Sequence, residues 1–358
     1  MLKNRQMNRR DFLQKATVGA MAVSFPPIPH FLKETPMGIV VHSYASRWNG
    51  KAESKKFPAF TNAIDLLDHC HRIGAGGVQV GVKDWTTAFA RKVRDKREKQ
   101  GLYLEGSIGL PKKAEEVAAF EAEVKNAKEA GAQVLRTVCL GGRRYETFKT
   151  AEAWQDFRKI SLVSLQLAEP VVRKHKMKLA VENHKDWRAQ ELVTILQQLN
   201  SEWVGATLDF GNNLALLEGP LEVAQTLAPY VFSTHIKDMA VEEHPEGFLL
   251  SEVPLGKGMV DLPKIVALCK KHNPAVTFNL EMITRDPLVI PVLKDEYWAT
   301  FDGITGPELA KVLRLVRQHK SATALPRVSH LSPEERLAAE EENILLSLAY
   351  SKNTLRLT

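Results

Sequence analysis

From Met37 onward the chain alternates between two apolar patterns. Short, nearly continuous apolar runs read as buried strands: MGIVVHS from Met37, GVQVGV from Gly77, LYLEGS from Leu102, QVLRTVCL from Gln133, KLAVENH from Lys178, GATLDFG from Gly205, VFSTHIKD from Val231 and VTFNLEMI from Val276. Between them, stretches such as FTNAIDLLDHCHRIG, KAEEVAAFEAEVKNAKEAG and AQELVTILQQLN place apolar residues at three- and four-residue spacing, the mark of amphipathic helices. Eight strand–helix units over roughly 280 residues predict a (β/α)8 TIM barrel, here spanning 37–320. A doubly wound sheet lacks support, since no Gly-x-Gly-x-x-Gly turn follows the first strand. Two longer connections, Met239–Val260 and Thr284–Thr305, fall on the strand-to-helix side and are expected to be lid or substrate loops. Beyond the barrel, 321–358 reads as a helical extension. Ser332 and Glu335 form a capping-box pattern ahead of a helix expected to serve packing or oligomer contact.

Side-chain alternation within the strands gives the first chemical signal. Strands five to eight each carry one candidate metal ligand near the C-terminal end: Glu182, Asp209, His235 and Glu281. The residues two positions earlier, Ala180, Thr207, Ser233 and Asn279, are small or polar, whereas Val181, Leu208, Ile236 and Leu280 are apolar. One parity therefore sends all four candidates into the barrel mouth together. Three carboxylates crowded there would repel one another unless a cation compensates. An imidazole with three oxygen ligands suits one divalent metal ion: Mn²⁺, Mg²⁺, Co²⁺ or Zn²⁺.

Composition changes little in this picture, and charge changes it at one end. The 358 residues are 44% hydrophobic and 25% charged, ordinary globular material. Of the net charge of +7, about +4 comes from Lys3, Arg5, Arg9, Arg10 and Lys15 against Asp11 in residues 1–32. The nearly balanced remainder mixes both signs along its helices, which argues against nucleic acid as a partner. NRRDFLQK, with Arg9 and Arg10, followed by ATVGAMAVSF and PPIP, resembles a twin-arginine export signal, with Ala20-Met21-Ala22 as a cleavage site. The expectations that follow are export to the periplasm, the twin-arginine machinery as a partner, and no stable membrane span; the alternative is a disordered basic tail. Cys70, Cys139 and Cys269 are odd in number and widely spaced, and are expected to be buried free thiols.

Five motifs in order, VENH (Val181–His184), LDFGN (Leu208–Asn212), HIKD (His235–Asp238), GKGMVD (Gly256–Asp261) and LEM (Leu280–Met282), carry a family resemblance. From about Met37 to Lys320 the chain resembles the xylose isomerase-like barrels grouped as sugar phosphate isomerases/epimerases, which include ketose 3-epimerases and inosose dehydratases. The resemblance implies a single divalent metal on Glu182, Asp209, His235 and Glu281, with a small carbohydrate as substrate. It further implies that Glu182 and Glu281 form an acid/base pair on opposite faces of the reacting carbon. The chemistry is coherent: proton removal beside a carbonyl gives an enediolate, the metal stabilises its charge, and a carboxylate carries the proton.

His184 and Lys237 are candidates for touching substrate or orienting a ligand, and His42, Glu105 and Arg136 for reaching the mouth from strands one, three and four. Gly256 and Gly258 form a Gly-x-Gly that could cradle an anion, Asp261 reads as a helix N-cap, and Trp85 is expected to pack rather than to stack on a sugar. The leading expectation is a metal-dependent isomerase or epimerase of a sugar or polyol ketone. A dehydratase or other lyase starting from the same proton abstraction is the alternative. An apurinic endonuclease-like nuclease would need more early-strand histidines, and a non-catalytic sugar-binding barrel would keep the metal without turnover.

Overall fold

The computed structural model describes residues 36–48, 50 and 52–358. The segment expected to be a twin-arginine signal, with Arg9 and Arg10, lies outside the described residues. Seven strands follow in order, each apart from its neighbour by at least one helix or turn: β1 (Gly38–Val40), β2 (Gly77–Gly81), β3 (Tyr103–Ser107), β4 (Val134–Thr137), β5 (Lys178–Glu182), β6 (Val204–Asp209) and β7 (Val231–Ile236). An antiparallel hairpin, β8 (Asp238–His244) and β9 (Gly247–Val253), intervenes before the eighth barrel strand, β10 (Thr277–Leu280). All barrel pairings are parallel, and β10 closes on β1 through Gly38↔Asn279 and Ile39↔Leu280. The predicted (β/α)8 barrel is thus the observed fold.

Strand alternation builds two cores at once. Val181, Leu208, Ile236 and Leu280 face outward, fully buried under the helices, each contributing about 2 kcal/mol by leaving water. Ala180, Thr207, Ser233 and Asn279 face inward and are equally buried. The barrel interior is unusually polar. Glu105 on β3 accepts hydrogen bonds from Gln79 Nε2 at 2.8 Å and Ser233 Oγ at 2.6 Å, and a further one from Thr277. The Tyr103 hydroxyl contacts Asn279 Oδ1 and the Phe278 carbonyl, both at 3.0 Å. That ring leaves no room for a side chain at Gly38 or Gly77.

Helix boundaries follow local chemistry. Thr86, Thr150 and Asp261 each cap the next helix by accepting a backbone N–H, Asp261 from Lys264 at 3.2 Å. The two long connections are not irregular loops. They supply β8, β9 and β11 (Leu288–Ile290), which form a three-stranded antiparallel sheet beside the mouth with Phe248, Leu250 and Ile290 in the core. Gly256 and Gly258 do cradle an anion, but an internal one: the Asp238 carboxylate accepts their N–H groups at 2.9 and 2.8 Å, and those of Met239 and Val260. Trp85 packs edge-on against Phe89. Cys70 and Cys269 are buried, Cys139 is half-buried, and all three are free. Among the described residues, no helix is long and apolar enough to cross a membrane.

The expected C-terminal helix is present as Pro333–Asn353, with the Ser332–Glu335 capping box formed. It lies across loops at the mouth end of the barrel. Glu340 accepts the Ser46 N–H at 2.9 Å, Ser347 Oγ accepts the Leu255 N–H at 3.2 Å, and Asn343 donates to Thr284 Oγ1 at 2.9 Å. Arg47, almost fully buried, pairs with Glu341 at 2.8 Å and rests on the Phe60 ring. Removing Arg47 takes away the guanidinium that faces Glu341 and leaves that half-buried carboxylate with the His69 ring at 3.2 Å. Arg47→Met is therefore expected to lower the unfolding free energy by about 3 kcal/mol, read as a shifted midpoint in urea denaturation; an unchanged midpoint contradicts it.

Candidate metal centre

Four adjacent strands in the order β10, β7, β6, β5 bring the predicted ligands together. Glu182 and Asp209 end β5 and β6, His235 is the penultimate residue of β7, and Glu281 directly follows β10. The register sets Asp209 opposite His235 and His235 opposite Asn279. One donor atom from each of the four residues falls within 4.8 Å of all the others. His235 Nδ1 lies 3.4 Å from Glu182 Oε2, 3.5 Å from Glu281 Oε2 and 4.0 Å from Asp209 Oδ2. Ligands about 2.1 Å from a shared ion stand roughly 3–3.5 Å apart, so the cluster is close to a closed coordination shell.

Two observations fit this donor set to a cation. His235 Nδ1 and Asp209 Oδ2 are buried atoms with no hydrogen-bond partner, although buried polar atoms are nearly always satisfied. The Lys237 ammonium stands 2.9 Å from Asp209 Oδ2 as an ion pair without hydrogen-bond alignment. The other His235 nitrogen is fixed from behind. A carboxylate only accepts hydrogen bonds, so the Gln79 amide gives its NH₂ to Glu105 and its oxygen to His235 Nε2 at 2.7 Å. This relay holds the proton on Nε2 and aims Nδ1 at the cluster, as outer groups do for metal-binding histidines.

The electrostatics show how the protein supports the crowding. Burial pushes Glu182 up, but Arg136 and then His235 hold it well below the usual carboxylate range. Burial opposes ionisation of Glu281 too, and Lys237 and His235 hold it well below. Asp209 moves upward because burial, with the two glutamates, outweighs Lys237. Burial pulls His235 down, but Glu182 and Glu281 raise it to about 10. Lys237 is raised as well, since Asp209 and Glu281 overcome its burial.

The remaining expected site residues separate into three placements. His184, Lys237 and His42 line a cavity of about 360 Å³ at the mouth, together with Glu281, Lys185, Asn212, Arg143 and Arg285. His42 is not on strand one; it sits in a 3₁₀ turn, Val41–Tyr44, because Ser43 turns to bond the Leu280 carbonyl and the Met282 N–H. Its half-exposed ring still reaches Glu281 Oε1 at 3.1 Å. Glu105 does not reach the mouth. It is enclosed in the barrel interior as the anchor of the Gln79 relay, because its three hydrogen-bond partners lie on β2, β7 and β10 below the ligands. Arg136 also stays out of the cavity; its guanidinium is spent on Glu182, with Nε 2.6 Å from Oε2.

Gln79, Asn212 and Lys185 adjoin the donor cluster or the cavity and were not singled out by strand alternation. Asn212 donates to Glu182 Oε1 at 3.1 Å and accepts from Lys237 at 3.4 Å and from Lys185. Gln79 had a usable signal, its inward parity in GVQVGV. Lys185 sits in a loop and Asn212 at the start of a short 3₁₀ turn, Asn212–Leu216, where no strand periodicity marks a direction. Behind them, Asp186 shapes the loop after β5 by accepting the N–H groups of His184 at 3.0 Å and Trp187 at 2.8 Å.

Residues 67–300 match the model of the family described as xylose isomerase-like TIM barrel. Among curated proteins, the uncharacterized protein YihM of Escherichia coli (strain K12) is 24% identical over 229 residues, 63% of this chain and 65% of that protein. The 3-oxo-isoapionate decarboxylase of Pectobacterium atrosepticum is 25% identical over 232 residues, 63% of this chain and 78% of that protein. The match thus spans less than two thirds of YihM's length. Among solved structures, a D-psicose 3-epimerase determined in the presence of D-fructose superposes with a TM-score of 0.57 at 15% identity, covering 90% of this chain and 99% of that one.

With Glu182 and Glu281 raising the His235 pKa to about 10, a cation arriving at Nδ1 is expected to displace a proton. Below that pH, divalent-metal affinity is expected to rise about tenfold per pH unit. Calorimetry in buffers of differing ionisation enthalpy should read about one proton released per ion; pH-independent binding contradicts the assignment. Gln79→Leu removes the relay and is expected to weaken metal binding about 10–100-fold, measured by competition with a chelating dye; unchanged affinity contradicts it.

Proposed function

We propose that this chain, which belongs to the xylose isomerase-like TIM barrel family, is a divalent-metal-dependent isomerase or epimerase of a sugar or polyol ketone. The observation that carries the reading is the convergence of Glu182 and Glu281, from the two ends of a four-strand arc, on the donor cluster completed by Asp209 and His235. When bound, a divalent ion supplies a Lewis acid that polarises a carbonyl and offsets enediolate charge. The protein's own residues do the rest. Glu281 lines the cavity and is held ionised by Lys237, so it is the base that takes the proton beside the carbonyl. Glu182 approaches from the far end of the arc and exchanges the proton on the opposite face. His184 gives its Nδ1 proton to the Leu140 carbonyl at 3.0 Å, and burial brings its pKa down to about 4. Its neutral Nε2 is thus an acceptor for a substrate hydroxyl. His42 orients Glu281.

A second reading has its own observation. Arg136 holds Glu182 ionised, which suits a base better than an acid. A lyase needs only one base, with the Lys237 ammonium as acid, and the similarity to a decarboxylase favours that class. In such a reaction the electrons of a breaking C–O or C–C bond leave with hydroxide or flow in from departing CO₂, and Lys237 supplies the balancing proton. The leader NRRDFLQK supports export to the periplasm through the twin-arginine machinery as part of the same proposal.

Incubation with ketoses, keto-inositols and 3-oxo sugar acids in D₂O separates the readings. An epimer or isomer carrying solvent deuterium at the reacting carbon is expected for the first, and loss of water or CO₂ for the second. Glu281→Gln at saturating metal is expected to lower turnover by about 10²–10⁴. Unchanged turnover of a confirmed substrate would remove Glu281 from the proton transfer.

A further inference from the structure

Lys185 is a buried ammonium that neither the metal cluster nor the proton transfer uses. Every other cation in the cavity wall has a carboxylate. Arg143 pairs with Glu146 at 2.7 Å, Arg285 with Glu252, and Lys237 with Glu281 at 2.6 Å and Asp209. Among the described residues no carboxylate lies within ion-pair distance of Lys185, whose Nζ bonds the Asn212 amide oxygen. Lys237 approaches that same oxygen at 3.4 Å. Two ammonium groups thus converge on one neutral acceptor, out of water, where like charges repel most strongly.

The backbone holds Lys185 there at a cost. Its φ of 61° lies in the left-handed region, which is disfavoured for a residue with a Cβ. The conformation is fixed from both sides: Asp186 gathers the neighbouring N–H groups, and the Lys185 carbonyl accepts the Arg144 N–H at 3.0 Å. Strain retained to present an unpaired cation to a cavity points to a ligand that completes the pair.

We propose that the substrate carries a carboxylate, bound by Lys185 beside the metal cluster, so that the protein acts on a sugar acid rather than on a neutral sugar. The proposal deepens the functional reading above and rests on it. With a divalent ion in place, that ion, Arg136, Lys185 and Lys237 outweigh the three ligand carboxylates, and an anionic substrate lessens the positive excess. A single unpaired ammonium matches a monoanionic carboxylate. A phosphate dianion calls for several free donors, and Arg143 and Arg285 are already spent on Glu146 and Glu252. His184, with its accepting Nε2 in the same wall, receives a neighbouring hydroxyl.

The test is calorimetric binding of the D-pentonates, the matching pentitols and the pentitol phosphates to metal-loaded and metal-free full-length protein. At least one pentonate is expected to bind about tenfold or more tighter than its pentitol. Lys185→Met should abolish that preference while leaving pentitol affinity in place, and Lys185→Arg should keep most of it. Because Lys185→Met removes a buried unpaired charge, it should melt no lower than the parent, which separates loss of binding from loss of fold. The proposal is overturned by pentonates binding no better than pentitols, by no detectable pentonate binding, by equal loss of both ligands in Lys185→Met, or by phosphates binding tighter than pentonates. Protein that takes up no divalent metal would sink the underlying reading, while the preference in metal-free protein still judges Lys185.

Discussion

Mutual repulsion among three carboxylates sealed inside a barrel is the constraint around which the molecule is organised. Water cannot screen Glu182, Asp209 and Glu281, so compensation must come from the protein itself or from a bound cation. Arg136 and Lys237 supply the protein's share, each set against a different part of the triad. The flanking Glu182 and Glu281 carboxylates raise His235, so that its imidazole adds to the compensation. The polar interior beneath follows from the same need, since the relay from Glu105 through Gln79 is required to decide which face of the imidazole points upward. A barrel filled with branched apolar residues at that level could not orient the ring.

Lys237 shows how closely stability and chemistry are joined. Its ammonium sits where the cation's charge is needed, touching the same carboxylate oxygens that converge on His235. The metal-free protein is therefore compensated without being complete: Asp209 Oδ2 and His235 Nδ1 remain unsatisfied.

The parts of this design that could be read from sequence are those governed by strand alternation. Parity alone placed Glu182, Asp209, His235 and Glu281 on one side of four strands, and the structure brings those four together. Parity could not say how deep a residue sits along the barrel axis, which is why Glu105 and Arg136 looked like mouth residues and proved to be supports. Loop residues fared worst. Lys185 sits in a turn shaped by Asp186, Asn212 opens a 3₁₀ turn held by Asp209, and the glycines after the hairpin serve the Asp238 carboxylate instead of a ligand. The three added strands were not legible because their apolar runs are short and lie inside long connections, even though Val241, Phe248, Leu250 and Ile290 join the main core. Their consequence is chemical as well as structural, since β9 carries the Glu252 that occupies Arg285.

The C-terminal helix gives the mouth a mechanical character that the barrel alone would not have. One rod holds the segment after the first strand at Ser46, the chain after the hairpin at Leu255, and the chain after the eighth strand at Thr284. Loops on most barrels breathe independently, each with its own local opening energy. Here three of them share a support, so slack at one is felt at all. The shape of the rim is thus tied to a helix that lines neither the cavity nor the donor cluster.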